Sequence, residues 1–147
     1  MILLVVPLRL KSTRLPKKVL KPIHEIPLAV RVLDRCLDAF KNDKDVQVLA
    51  AVDSDETSDL LRHKFHDLGV IHTEPEITSG TERVFSAVRK YLEQNPHLKI
   101  QGVLNVQGDL PFVGKRGLGQ AVGYLKQSTG EPCIVTLAQK WPETLDY

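Results

Sequence analysis

Residues 1–68 contain no glycine, and the first glycine of the chain is Gly69. The segment after the first apolar run therefore cannot be a P-loop or a Gly-x-Gly-x-x-Gly dinucleotide turn, which need glycine for close backbone approach to phosphate. Cysteine is scarce too, because Cys36 and Cys133 are the only two. Their wide separation excludes a disulfide framework and a cysteine-rich zinc site. Phosphate bound near the N-terminus must be held by side chains.

Long apolar runs are also missing. The run at residues 2–6 stops at Pro7, far short of the ~20 residues of a membrane span. No basic segment precedes it, as one would in a secretory signal. We therefore expect a cytoplasmic protein without a membrane partner. A length of 147 residues, with 42% hydrophobic and 26% charged residues, is typical of one globular domain.

Positive charge is concentrated at the N-terminus. Residues 1–21 contain six basic side chains and no acidic one, a formal charge of +6, whereas the whole chain carries +2. Such a local cluster on a mildly acidic body favours a small anionic ligand over a nucleic acid. A solvated basic loop is the alternative, but Leu15, Val19 and Leu20 lie among the charges and favour a packed loop.

Short apolar runs alternate with helical periodicities along the chain. This alternation predicts right-handed βαβ units and an α/β fold with a doubly wound, mostly parallel sheet. Ligands of such a sheet bind outside the carboxyl ends of the strands, where the strand order reverses. The predicted strands are 2–6, 46–52, 70–73, 102–106 and 134–138, the predicted helices are 27–40, 54–67, 80–94 and 115–128, and the candidate site loops are 7–22, 74–81 and the turn after residue 106.

Two of these loops contain polar motifs with a chemical interpretation. Ser79 and Glu82 fit a capping box at a helix start, where backbone amides can receive a ligand and Gly80 permits its close approach. Asp109 follows an apolar strand and is suited to hold Mg²⁺ that bridges phosphate oxygens, with a plain turn as the alternative.

Two other groupings are weaker metal candidates. The Asp53-Ser54-Asp55 segment is better explained as a helix cap followed by first-turn acids than as a metal site. His63 and His66 can share a helix face, but no third zinc ligand lies near them in the sequence.

Three segments together resemble the 3-deoxy-manno-octulosonate (Kdo) cytidylyltransferases, the CMP-Kdo synthetases of lipopolysaccharide synthesis. They are residues 5–18 (VVPLRLKSTRLPKK), 79–83 (SGTER) and 105–109 (NVQGD), in the family's order and spacing. The resemblance covers almost the whole chain. It implies a Rossmann-like nucleotidyltransferase fold, CTP and Kdo as substrates, Mg²⁺ as cofactor and a homodimer.

The resemblance also implies roles for individual residues. Arg9 and Lys18 match the triphosphate-binding pair and Asp109 matches the magnesium aspartate, so we expect these three to be catalytic. The other matches are Ser12 and Arg14 beside phosphate and sugar, Ser79, Gly80 and Thr81 at the turn near cytosine, and Gln107 near the sugar acid, with Arg14 and Gln107 as the expected sugar contacts.

Two positions depart from the family pattern, since Lys17 replaces a common glycine and Leu110 replaces the acid of Gly-Asp-Glu-Pro. Family chains also continue well beyond Tyr147, and that part supplies most Kdo contacts, a second magnesium aspartate and much of the dimer interface. We therefore expect residues 1–147 to be the N-terminal portion of a CTP-binding nucleotidyltransferase domain that by itself binds CTP weakly and makes no CMP-Kdo. Two alternatives stay open: a truncated non-catalytic nucleotide-binding relative, and a nucleotidyltransferase with another sugar acceptor.

Overall fold

The protein is described by a computed structural model that covers residues 1–12, 15–128 and 133–135. The elements in chain order are β1 (Ile2–Leu8), a 3-10 helix (Lys18–Leu20), β2 (Pro22–Ile23), β3 (Ile26–Pro27), α1 (Leu28–Phe40), β4 (Val46–Val52), α2 (Asp55–Lys64), β5 (Gly69–His72), α3 (Gly80–Gln94), β6 (Gly102–Asn105) and α4 (Lys115–Gln127). The main sheet has four parallel strands in the order β5-β4-β1-β6, while β2 and β3 form a separate antiparallel pair.

Strand β1 is central because it is apolar on both faces. All seven of its residues are buried, as expected for a parallel strand covered on both sides. Its even-numbered side chains, from Ile2 to Leu8, share a core with α1, α2 and α4. Leu3 and Val5 point the other way and pack with α3. Helices therefore cover both faces, which confirms the predicted doubly wound α/β fold.

The strand order reverses beside β1. β4 and β5 extend the sheet on one side, α3 then crosses the opposite face, and β6 pairs with the other side of β1. The carboxyl ends of β1 and β6 therefore flank a topological switch point, where ligands of such sheets bind.

The two strands beside β1, β4 and β6, pair with it over different lengths. Pairing with β4 continues to Leu8 opposite Val52, whereas pairing with β6 stops at Val5 opposite Asn105. Pro7 therefore lies where β1 has one neighbour only, a position of the kind at which proline is tolerated in a strand. This explains why β1 extends beyond the predicted end at residue 6.

Apart from the short 3-10 helix Lys18–Leu20, which lies inside the predicted loop 7–22, the other elements agree with prediction to within a few residues, with two exceptions. The β2–β3 hairpin was not predicted, because its turn residues His24 and Glu25 both have positive φ, 46° and 65°, at positions where such turns usually carry asparagine or glycine. The predicted strand at 134–138 lies partly outside the described residues, and its residues 134–135 are in neither helix nor strand. In the part of the chain that the structure covers, no helix has the length and apolarity needed to cross a membrane.

Candidate functional site

A cleft of about 430 Å³ lies at the carboxyl ends of β1 and β6. Its walls are the loop after β1, the start of α3 and the turn after β6. The residues singled out from the sequence that line it are Arg9, Ser12, Lys18, Ser79, Gly80, Gln107 and Asp109. The structure therefore brings these residues together around one cleft, while their binding roles stay predictions.

Two predicted site residues are not part of this cleft as described. Thr81 is exposed in the first turn of α3 and does not line the cleft. Arg14 lies outside the described residues. The cytosine role of Thr81 and the sugar role of Arg14 stay predictions.

The guanidinium of Arg9 has an N–H donor that forms no hydrogen bond with the described residues. Its Nη1 donates to the carbonyl oxygen of Thr78 at 3.3 Å, but its Nε is buried and has no hydrogen-bond partner among the described residues. Within those residues no carboxylate lies within ion-pair distance of Arg9 either. A buried donor without an acceptor is costly, so this group fits an anionic ligand in the cleft.

Lys18 and Asp109 both line the cleft and form an ion pair with each other, with Nζ 2.6 Å from Oδ2. No group of three His, Cys, Asp or Glu side chains in the described residues is placed to hold a metal ion, so within those residues Asp109 belongs to no three-ligand metal group. Mg²⁺ is commonly bound by one or two carboxylates together with substrate phosphates and water. The Asp109 carboxylate fits that mode.

Lys17 adopts the left-handed conformation, with φ 54° and ψ 34°. This conformation costs a non-glycine residue about 1–2 kcal/mol, so glycine would be the favoured residue at position 17. The Lys17 side chain forms an exposed ion pair with Glu56, with Nζ 2.6 Å from Oε2.

The start of α3 forms the opposite wall. Ser79 is the N-cap, and its Oγ accepts a hydrogen bond from the Glu82 amide at 3.4 Å, which is the Ser79 half of the predicted capping box; the described residues show no return bond from the Ser79 amide to the Glu82 side chain. A Cβ on Gly80 would lie 3.0 Å from Oε1 of Gln107, so glycine allows Gln107 to lie against the helix start. Gln107 in turn donates from Nε2 to Oδ1 of Asn105 at 3.0 Å.

Sequence reasoning missed a buried ion pair in the wall of the cleft, which Arg83 helps to line. Arg83 and Asp53 have side-chain exposures of 1% and 2%, and Nη2 lies 3.3 Å from Oδ2. Burial lowers the pKa of Arg83, and the Asp53 charge opposes that shift. A usable signal existed, because Arg83 lies on the same buried face of α3 as Val84 and Ala87, where a charge requires a partner.

Neither of the two weaker metal candidates forms a metal site within the part of the chain that the structure covers. Ser54 is the N-cap of α2 and accepts a hydrogen bond from the Thr57 amide at 3.3 Å, which confirms the helix-cap interpretation of its segment. His63 and His66 are both exposed, and among the described residues they belong to no three-residue metal group.

The sequence of the chain is similar to known proteins of one family. The sequence model described as "Cytidylyltransferase" matches residues 3–144. The 3-deoxy-manno-octulosonate cytidylyltransferase of Wolinella succinogenes is 40% identical over 111 residues, which are 76% of this chain and 41% of the relative. The protein of the same name from Rhodopseudomonas palustris is 32% identical over 136 residues, or 92% of this chain and 51% of the relative. The chain thus spans about half the length of these relatives.

Solved structures agree on the fold. CMP:2-keto-3-deoxy-manno-octonic acid synthetase complexed with CTP gives a TM-score of 0.71 at 23% identity, over 89% of this chain and 49% of that chain. Rv0371c of Mycobacterium tuberculosis in complex with manganese gives 0.58 at 18% identity, over 83% and 58%. With the family match extending over nearly all of the sequence, the chain belongs to the cytidylyltransferase family.

Proposed function

We propose that the chain binds CTP in the cleft and forms the nucleotide-binding part of an enzyme that transfers CMP from CTP to Kdo and releases pyrophosphate. The observation that carries the proposal is the buried Nε of Arg9, which has no hydrogen-bond partner among the described residues, in a cleft that also presents Lys18 and Asp109. The relatives named as Kdo cytidylyltransferases and the solved synthetase complexed with CTP support the choice of nucleotide and acceptor.

The charged side chains suit this chemistry. In the transfer, the anomeric hydroxyl of Kdo attacks the α-phosphorus of CTP in line and pyrophosphate leaves. Arg9 and Lys18 bind the triphosphate and stabilise the negative charge that develops on the leaving group. Catalysis then depends on positioning and electrostatics, so no serine or cysteine nucleophile is required.

Asp109 is the proposed protein ligand of Mg²⁺, shared with the phosphates of the nucleotide. When bound, the ion would neutralise phosphate charge and help to orient the triphosphate. Leu110 contributes no ligand where the family has an acid, so Asp109 is the carboxylate that this turn supplies. One solved protein of this fold is a manganese complex, which is consistent with a divalent cation.

The start of α3 is the proposed cytosine site. Ser79 and Gly80 line the cleft beside the first free amides of the helix, and such amides donate hydrogen bonds to polar ligand atoms. Gln107, which packs against Gly80, is the proposed contact to the sugar acid. Homodimer formation and a cytoplasmic location also stay part of the proposal.

Nucleotide binding is tested by calorimetric titration of the 147-residue chain with CTP, UTP and ATP in the presence of Mg²⁺. We expect CTP to bind, weakly, and the other two to bind less tightly. Absence of CTP binding would contradict the proposal, and equal affinity for all three nucleotides would contradict the cytosine site.

Transfer is tested on the protein encoded by the whole native reading frame, by pyrophosphate release from CTP with Kdo, and with N-acetylneuraminate as a comparison acceptor. Release that needs Kdo supports the proposed acceptor, whereas release with the other sugar acid alone supports a different one. We expect the 147-residue chain alone to show no release. The native reading frame then decides: a continuation carrying a second aspartate motif supports the enzyme, and a stop codon after Tyr147 supports a non-catalytic relative.

A further inference from the structure

We propose that Arg83 and Asp53 are positioning residues. Through a closed ring of hydrogen bonds, they fix the relative position of two walls of the cleft, the loop after β1 and the segment that leads into α3. The effect on CTP binding rests on the proposed function, whereas the ring itself is a property of the fold. Among the ion pairs of the described residues, this is the one with both side chains almost fully buried. Burying a charge pair costs desolvation free energy that hydrogen bonds must offset. The hydrogen-bond partners of Asp53 and Arg83 therefore indicate which segments the pair positions.

Asp53 anchors the first wall. Its Oδ1 accepts a hydrogen bond from the backbone amide of Leu10 at 2.8 Å, and its Oδ2 accepts from Arg83. Leu10 directly follows Arg9, the proposed phosphate ligand. The carboxylate at the end of β4 therefore fixes the backbone at the point where the Arg9 side chain leaves it.

Arg83 anchors the second wall. Its Nη2 donates to the carbonyl oxygen of Ile77 at 2.7 Å, and its Nη1 donates to the hydroxyl of Thr73 and, at 3.5 Å, to the carbonyl oxygen of Glu74. One guanidinium thus holds the segment between β5 and α3 at three places. The planar fork of arginine can reach several acceptors at once, which the single ammonium of lysine does not reproduce.

The two walls are joined a second time at the cleft surface. Thr78, next to Ile77, accepts the hydrogen bond from Nη1 of Arg9. The contacts therefore run from Arg9 through its neighbour to Asp53, then to Arg83, and back through residues 77–78 to Arg9. Asp53 compensates the charge of Arg83, which leaves the charge of Arg9 available for a ligand.

The test compares Arg83→Lys with the parent chain by CTP titration and by amide hydrogen exchange. We expect the dissociation constant for CTP to rise about tenfold, since a small misplacement of binding groups is costly. We also expect faster exchange at the Leu10 amide and in residues 75–79, with the amides of β4 unchanged. The matched control is Arg31→Lys, because Arg31 makes two similar bonds to a backbone carbonyl, that of Ile23, outside the cleft. It should change neither readout.

Two results would overturn the proposal: a folded Arg83→Lys variant with unchanged CTP affinity, or faster exchange spread evenly over the sheet, which marks a purely structural role. If Arg83→Lys does not fold, Thr73→Val replaces it, because this change removes one hydrogen-bond acceptor of Arg83 without altering charge. About a threefold loss of affinity is then expected, and unchanged affinity rejects the proposal. If the parent chain binds no CTP, the proposed function fails, and the exchange pattern alone decides the positioning role.

Discussion

Lys18 and Asp109, which are the expected phosphate and metal ligands, form an ion pair with each other, with Nζ 2.6 Å from Oδ2. The two side chains are 39% and 48% exposed. An ion pair at that exposure contributes little stability. The two charges therefore neutralise each other, and little stability is lost when Lys18 binds a phosphate and Asp109 binds a cation instead.

Asp109→Asn should abolish the gain in CTP affinity that Mg²⁺ provides, because a neutral amide is a poor ligand for a hard cation. Without metal, the variant should bind CTP at least as tightly as the parent, since Lys18 is released. Calorimetric titrations with and without Mg²⁺ measure both effects. Asp38→Asn is the matched control, because Asp38 also pairs with lysine but lies outside the cleft. An undiminished Mg²⁺ effect in Asp109→Asn would refute the metal assignment.

Arg9→Ala should weaken CTP binding by roughly 1.5–3 kcal/mol, the range expected for a lost charge-assisted contact. The same titration measures it. Arg35→Ala serves as control, since Arg35 bonds the carbonyl oxygen of Val113 away from the cleft and should leave CTP affinity unchanged. Equal CTP affinity in Arg9→Ala and the parent chain would remove Arg9 from the phosphate site.

Lys17→Gly should leave CTP binding intact or improve it, because Lys17 is held by Glu56 and has a left-handed backbone that suits glycine. Lys17→Ala is the informative comparison. Both variants lose the exposed ion pair, but alanine should be less stable than glycine by about 1 kcal/mol at this φ. Urea unfolding measures the difference. Loss of CTP binding by a folded Lys17→Gly variant would show that Lys17 is itself a ligand.

Gly108→Ala should destabilise the protein by about 1–3 kcal/mol, as expected for overpacking. An added Cβ would lie 2.6 Å from the backbone oxygen of Pro7 and 2.5 Å from Cδ2 of Leu8. Gly119→Ala is the control, because it lies in α4 with nothing within 4 Å of the added atom and should stabilise the helix by about 1 kcal/mol. Chemical denaturation of both variants checks the prediction, and equal effects would contradict it.

Glu74 should make stability depend on pH under acid conditions. Hydrogen bonds from the Lys90 ammonium, the backbone and Ser86 lower the pKa of Glu74 to about 2, from an ordinary value of 4.5. The ionised form is therefore favoured in the folded state, so this contribution to stability is present above pH 4.5 and is lost as the pH falls towards 2. The parent should exceed Glu74→Gln in thermal midpoint at pH 6, and the gap should close near pH 2. A gap independent of pH would contradict this assignment.

The sheet could be predicted because strands such as β1 and β4 are apolar on both faces and leave a continuous signal in the sequence. The cleft could be predicted because its loops follow those strands. The contact between Arg83 and Asp53 could not be predicted from the sequence, since the two residues lie 30 positions apart and meet only through the packing of α3 on the sheet. The contact between Lys18 and Asp109 likewise depends on the pairing of β1 with β6.

The difference in length between the two pairings of β1 makes room for the turn after β6. Pairing with β4 runs three residues further than pairing with β6, from Val5 to Leu8. At about 3.3 Å per residue, this leaves a step of roughly 10 Å in the sheet. The turn at Gly108 folds against the floor of that step. The turn that brings Gln107 and Asp109 to the cleft therefore has room because β6 stops pairing before β1 ends, and inserted residues that prolong β6 would move both side chains away from Arg9 and Lys18.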